Sequence, residues 1–285
     1  MEIRKVAVIG GGRMGRQIGL NAAISGYEVK VTDSIPAVLT DIENWKEEYL
    51  AGRIAKGRMT EEKVAEVKAR FATAESIEAA VCDADLVIEA VLERIQLKKE
   101  VLAEICKYAP AEAIIGTNSS RIPSSTFLDS VTDGSKLCNL HYNNPALVMK
   151  AVEIQQHEGT SDDTVESLKK FCVSCGKVPI HIRKEVEGMI VSKILGEINK
   201  TAYYLVENGY CTIEDVDNAC VYGLSHPMGP FRLNDLTGLD ISFDVKQKFL
   251  EQTGEKTPGY DMLKEKVEKG ELGKKTGKGW YTYDK

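Results

Sequence analysis

His141 and Glu153 are the residues of this 285-residue chain whose types and setting most directly suggest proton chemistry. The chain carries four histidines, and His141 closes the apolar run Leu137–His141 just before Tyr142-Asn143-Asn144-Pro145 opens a loop. The place where a strand ends and a loop begins is where open parallel sheets do their chemistry. Glu153 begins the next apolar run between Val152 and Ile154, so it reads as a carboxylate forced inward. An imidazole that exchanges a proton with a substrate hydroxyl needs an orienting carboxylate on its other nitrogen. A histidine after a strand can equally be a satisfied structural residue, and from these residues alone both readings stand.

A second constellation is Val6-Ala7-Val8-Ile9-Gly10-Gly11-Gly12-Arg13-Met14-Gly15. It fits G-x-G-x-x-G at Gly10, Gly12 and Gly15, directly after an apolar run and directly before a helical pattern. Gly10 permits the tight turn, Gly12 lets the backbone approach a pyrophosphate, and Gly15 allows close helix–strand packing. The free N–H groups of the helix amino terminus suit phosphates. Asp33 ends the next apolar run 18 residues past Gly15, where an acid can accept both hydroxyls of an adenosine ribose. The pattern predicts a dinucleotide site; the alternative is a structural turn and an ordinary surface aspartate.

These residues need a scaffold, and the chain supplies one. Short apolar runs at Lys5–Ile9, Glu28–Thr32, Leu86–Glu89, Ala113–Thr117, Leu137–His141, Ala151–Ile154 and Val178–Ile182 read as strands. Between them lie helical patterns at Met14–Ser25, Ile35–Gly52, Gln96–Tyr108 and Ser161–Cys175. This alternation is the sequence form of βαβ units. Residues 38–71 are long for a crossover and rich in charge, and read as an inserted helical pair, with Thr60-Glu61-Glu62 starting its second helix. After Ile182 only helical patterns follow: Ile190–Asn208 with Gly209 to end it, a capped start at Thr212–Asp215, then Phe231–Leu250 and Tyr260–Lys269. The expected architecture is α/β, a Rossmann-type mostly parallel sheet with an all-helical carboxyl domain. The boundary is expected near Arg183-Lys184-Glu185, giving an NAD-binding domain over 1–183 and a helical substrate and dimerisation domain over 184–285.

Composition narrows the function classes. Hydrophobic residues are 43% and charged residues 28%, a globular mix. A net charge of -6 gives no footprint for nucleic acid or an anionic membrane. No apolar stretch approaches the ~20 residues of a membrane span, and the apolar run after Met1 is too short for a signal sequence. Seven cysteines, an odd number, argue against a disulfide scaffold and for a reduced, cytoplasmic setting. Cys172 and Cys175 form a lone CxxC without a nearby histidine; they read as small packed residues, and no metal site is expected.

Taken in order, the motifs resemble the L-3-hydroxyacyl-CoA dehydrogenase family, in its short 3-hydroxybutyryl-CoA dehydrogenase form, over the whole length. They are the glycine turn with Met14, Val87-Ile88-Glu89-Ala90-Val91-Leu92-Glu93 leading to Leu97-Lys98, and Thr117-Asn118-Ser119-Ser120. Then come His141 to Pro145, Val148-Met149-Lys150 to Glu153, Pro227-Met228-Gly229-Pro230-Phe231, and Gly273-Lys274-Lys275-Thr276-Gly277-Lys278-Gly279. The resemblance implies that His141 is the catalytic base and Glu153 its partner. It places Glu93, Lys98, Ser120, Asn144 and Lys275 near NAD, with Ser120 also reaching toward the substrate. Lys56, on the inserted helical pair, matches a lysine that meets the CoA moiety; the alternative is a lysine on a solvated helix face. The family precedent is a homodimer through the helical domain.

The departures bear on the substrate. Two aromatic residues usually follow the family histidine, where this chain has Tyr142 and Asn143. The family's Gly-Phe-x-x-Asn-Arg is Gly188-Met189-Ile190-Val191-Ser192-Lys193 here, and Arg121 stands where a serine is usual. Asn143 and Ser192 are therefore expected to line a short, polar acyl pocket. The expected function is hydride transfer between NAD and a short-chain 3-hydroxyacyl-CoA. The alternatives are a dehydrogenase of a CoA-free 3-hydroxy acid, of the carnitine or gulonate type, and a dinucleotide-binding protein with little catalysis.

Overall fold

A computed structural model of the chain describes residues 2–284. The chain divides into two compact units, Met1–Ile190 and Val191–Lys285. The first contains β1 (Lys5–Ile9), α1 (Arg13–Ile24), β2 (Glu28–Thr32), α2 (Pro36–Ala55), α3 (Glu61–Arg70), β3 (Phe71–Ala74) and α4 (Ile77–Val81). It continues with β4 (Leu86–Glu89), α5 (Ile95–Tyr108), β5 (Ile114–Thr117), β6 (Leu137–Tyr142), β7 (Ala151–Gln155), α6 (Asp162–Ser174) and β8 (Val178–Ile182). Among the described residues, eight strands form one sheet in the order β3-β2-β1-β4-β5-β6-β7-β8. Every neighbouring pair is parallel except β6 and β7.

Period-two alternation sorts the side chains of the central strands onto two faces. Val6, Val8, Leu86 and Ile88 pack with Ile18 and Leu20 of α1, while Ala7, Ile9 and Val87 pack with Leu102 and Ile105 of α5. Covered on both sides, β1 and β4 read as continuous apolar runs. The chain order reverses between β1 and β4, so their carboxyl ends open a crevice at the topological switch point. Cys172 and Cys175 are buried, Cys172 on the packed face of α6.

β3 is a strand the sequence pattern did not announce. Its four residues, Phe-Ala-Thr-Ala, bury only Phe71 and Ala74. The break between units also falls later than Arg183–Glu185. Glu185 Oε1 accepts from Ser125 N–H at 2.9 Å, and Val186 N–H donates to Gln155 Oε1 at 2.9 Å, so this segment is fastened to the first unit.

The second unit is helical: α7 (Ile190–Glu207), α8 (Ile213–Asn218), α9 (Pro230–Thr237), α10 (Leu239–Thr253) and α11 (Tyr260–Glu268). Thr212 and Asp215 form a capping box at the start of α8. Where one helix was expected over Phe231–Leu250, Gly238 at φ 110° breaks the run into α9 and α10. Its core includes Tyr203, Phe231, Leu239 and Leu263. Buried Asp235 accepts from the N–H groups of Trp280 and Tyr281, both at 2.9 Å, which holds the carboxyl-terminal segment in place. No helix among the described residues is long and apolar enough to cross a membrane.

Candidate active site

The antiparallel register of β6 and β7 sets His141 directly opposite Glu153. The imidazole Nδ1 lies 2.9 Å from Glu153 Oε2; the carboxylate is fully buried and the ring is 12% exposed. A carboxylate can only accept, so Nδ1 carries the proton and Nε2 is left as the base. The partly exposed ring can thus pass a proton outward while its partner stays dry.

Above β1 and β4 the glycine turn shapes the crevice. Gly10 sits at φ +104°, and a Cβ there would come within 2.7 Å of the Ala90 carbonyl oxygen. A Cβ on Gly15 would collide with the Gly10 carbonyl, so α1 can approach β1 only without one. Gly12 is different: a Cβ there meets nothing within 4 Å. Packing does not demand this glycine; the space over it suits a pyrophosphate at the amino terminus of α1. Asp33 accepts from Gly11 N–H at 2.8 Å and from Ile35 N–H at 3.0 Å, which fixes its carboxylate at the crevice rim with lone pairs to spare for ribose hydroxyls. The crevice holds about 510 Å³ and is lined by Gly10, Gly12, Asp33, Val38, Val91 and Leu97, among others. These residues fit NAD. Asp33 should repel a 2′-phosphate, so kcat/KM with NADPH is expected more than about tenfold below that with NADH, like-charge contact costing on the order of several kcal/mol. Comparable efficiencies in a steady-state comparison of the two cofactors would refute the assignment.

Glu93 stands at the next loop. Its Oε1 accepts from Ser119 Oγ at 2.6 Å and from the N–H groups of Ser120 and Arg121 at 3.0 Å. Burial pushes its carboxyl up, but the Ser119 and Arg121 hydrogen bonds and the nearby Lys98 charge outweigh this and hold it below the usual carboxylate range. Lys98 lies behind Glu93. It is buried, with its ammonium 2.8 and 2.9 Å from the two oxygens of Glu89 and 3.3 Å from Glu93.

The loop after His141 is held by its own contacts. Tyr142 points into the core and is 2% exposed, and the Asn143 amide donates to the Ala151 carbonyl at 3.2 Å. Tyr142 thus turns away from the loop surface, while one amide N–H of partly exposed Asn143 is engaged on the chain's own backbone. Asn144 is exposed, as is Lys56 at the C-cap of α2. In the second unit Ser192 is exposed in the first turn of α7, and Lys275 pairs with Asp240 at 2.5 Å. Two asparagines to which the sequence reading gives no role brace the site. Asn118 Oδ1 accepts from Tyr142 N–H at 2.8 Å, tying the end of β5 to the residue after His141. Buried Asn139 accepts from Ser124 N–H at 2.8 Å and donates to the Ile122 carbonyl at 3.0 Å, holding the segment beyond Ser120. His157 and His181 are engaged elsewhere, on the Gly134 carbonyl and the Gln156 amide oxygen.

A doubly wound sheet with a glycine crevice at its switch point and a histidine–carboxylate pair further along its carboxyl edge defines a nicotinamide-dependent dehydrogenase. Comparison with known proteins gives the family. The pattern "3-hydroxyacyl-CoA dehydrogenase, NAD binding domain" matches residues 5–186, and "3-hydroxyacyl-CoA dehydrogenase, C-terminal domain" matches residues 188–283. The chain belongs to the 3-hydroxyacyl-CoA dehydrogenase family and is an NAD-dependent dehydrogenase. It is 33% identical to a 3-hydroxybutyryl-CoA dehydrogenase of Bradyrhizobium diazoefficiens, covering 99% of this chain and 96% of that one. The crystal structure of (S)-3-hydroxybutyryl-CoA dehydrogenase from Ralstonia eutropha superimposes with a TM-score of 0.85 at 29% identity, over 100% of both chains. A diketoreductase acting on dicarbonyl compounds superimposes with a TM-score of 0.89 at 28% identity, over 99% of this chain and 100% of that one.

Proposed function

We propose that this protein interconverts a short-chain 3-hydroxyacyl-CoA and its 3-keto form. The observation that carries the reading is the His141–Glu153 pair, set in register near the carboxyl end of β6 in a sheet whose switch point fits NAD. When bound, NAD supplies the hydride acceptor for the substrate's hydroxyl carbon. Nε2 of His141 takes the hydroxyl proton, and buried Glu153 keeps Nδ1 protonated and stabilises the imidazolium. Glu93 fixes the loop that carries Ser120, whose hydroxyl faces the substrate oxygen on this reading. Lys56 and Arg58, just past the end of α2, are exposed, and cations there suit the phosphates of CoA. Asn144, exposed in the loop after β6, is proposed as a further cofactor contact. A homodimer is proposed through the second unit, where Ile198, Leu205, Val216 and Leu224 line an apolar groove of about 810 Å³ and Tyr222 is 83% exposed.

The test is an initial-rate panel with NADH and acetoacetyl-CoA, a ten-carbon 3-ketoacyl-CoA, or free acetoacetate. The four-carbon thioester is expected to give the highest kcat/KM. A clear preference for the ten-carbon thioester would overturn the short-chain assignment, and a preference for the free acid would overturn CoA.

A further inference from the structure

Beneath the loop that carries Ser120, five residues close a ring of hydrogen bonds and one ion pair. Thr117 Oγ1 donates to Glu89 Oε2 at 2.6 Å, and Lys98 Nζ reaches the two Glu89 oxygens at 2.8 and 2.9 Å. The same ammonium lies 3.3 Å from Glu93 Oε2, while Glu93 Oε1 accepts from Ser119 Oγ at 2.6 Å. The backbone N–H of Ser119 donates to Thr117 Oγ1 at 3.3 Å, and the circuit is complete. Glu89, Thr117 and Ser119 are 0% exposed and Lys98 is 1% exposed, so only Glu93 reaches the surface.

The ring fastens three stretches of chain that are separate in sequence: the end of β4 with Glu93, the first turn of α5, and the end of β5. Its outer bonds go to the active site. Ser120 and Arg121 give their N–H groups to Glu93, and Val91 gives its own to Glu89 Oε1 at 2.7 Å. Asn118 donates its N–H to the Glu89 carbonyl at 2.8 Å and accepts from Tyr142, the neighbour of His141. Buried Glu89 and partly exposed Glu93 share one ammonium, and hydroxyl and N–H donors occupy their remaining acceptor positions. Such a network is rigid while every member is satisfied, and removing one leaves its neighbours unmet in a medium of low dielectric.

We propose that this ring is a positioning device for the reaction. Thr117 and Glu89, buried away from any ligand, set where Ser120 and Asn118 stand relative to His141 and the cofactor. Thr117 is the member to test, because losing its hydroxyl removes one donor and one acceptor without altering the charge. Misplacing groups by about 1 Å can cost up to about a hundredfold in rate.

The experiment compares the full chain with its Thr117→Val and Thr117→Ser variants. Three quantities are measured: the dissociation constant of NADH by fluorescence titration, kcat and KM with acetoacetyl-CoA, and the melting temperature. Thr117→Val is expected to lower kcat about tenfold and to weaken NADH severalfold, with Thr117→Ser within about twofold of the parent. A Thr117→Val protein that melts earlier but keeps kcat and NADH affinity would make the ring merely structural. A serine variant as impaired as the valine one would also overturn the proposal, since the hydroxyl would not be what matters. Should Thr117→Val not fold, Ser119→Ala opens the ring at Glu93 and must show the same loss. The turnover arm rests on the substrate reading above. If the parent does not turn over acetoacetyl-CoA, that reading fails, while the NADH titrations of the same variants still decide for or against the ring.

Discussion

His141→Ala is expected to lose about a hundred- to ten-thousandfold in turnover, the usual contribution of a positioned general base. NADH affinity should be unchanged, because the ring is held by Glu153 on β7 and the NAD crevice is built at the ends of β1, β2 and β4. Steady-state turnover beside an NADH titration separates the two effects. A variant that kept more than about a tenth of parental turnover would remove His141 from the proton-transfer role, given that range.

Glu153→Gln should also be slow, for a reason specific to the geometry. The buried carboxylate, 2.9 Å from Nδ1, can only accept, which fixes the tautomer with Nε2 free to take a proton. An amide at this position can instead donate to Nδ1, moving the ring proton to Nε2, where it blocks the base. It also leaves the imidazolium without its counter-charge. A hydrogen bond to a charged group is worth about 1.5–3 kcal/mol, so the loss should be roughly ten- to a hundredfold in kcat. A Glu153→Gln variant with parental kcat would mean that the carboxylate does not control the imidazole.

Much of the site was legible because its residues obey strong local rules. Gly10 and Gly15 cannot carry a Cβ without striking Ala90 or Gly10 itself, and such a constraint leaves a visible spacing in the sequence. The central strands were legible because burial on both faces makes them continuous apolar runs. β3 was not, since four residues with two buried positions carry no periodicity that stands out from a loop. Glu89 and Lys98 read as the polar end of a strand and a helix lysine, and nothing in their types reveals that they meet. The same holds for Asn143, whose amide turns back to Ala151, a contact fixed by the path of the loop rather than by the residue. The partnership of His141 with Glu153 could be anticipated from chemistry, but its geometry depends on a strand register that residue types alone do not specify.

The central claim is that the His141–Glu153 pair serves a CoA thioester, with binding energy from the remote CoA moiety used to position the reacting carbonyl. The measurement that tests it most directly is kcat/KM for NADH oxidation with acetoacetyl-CoA against that with free acetoacetate. Binding energy from remote parts of a substrate appears in the transition state, so the thioester is expected to win by at least about a hundredfold. Equal efficiencies, or a preference for the free acid, would contradict the account.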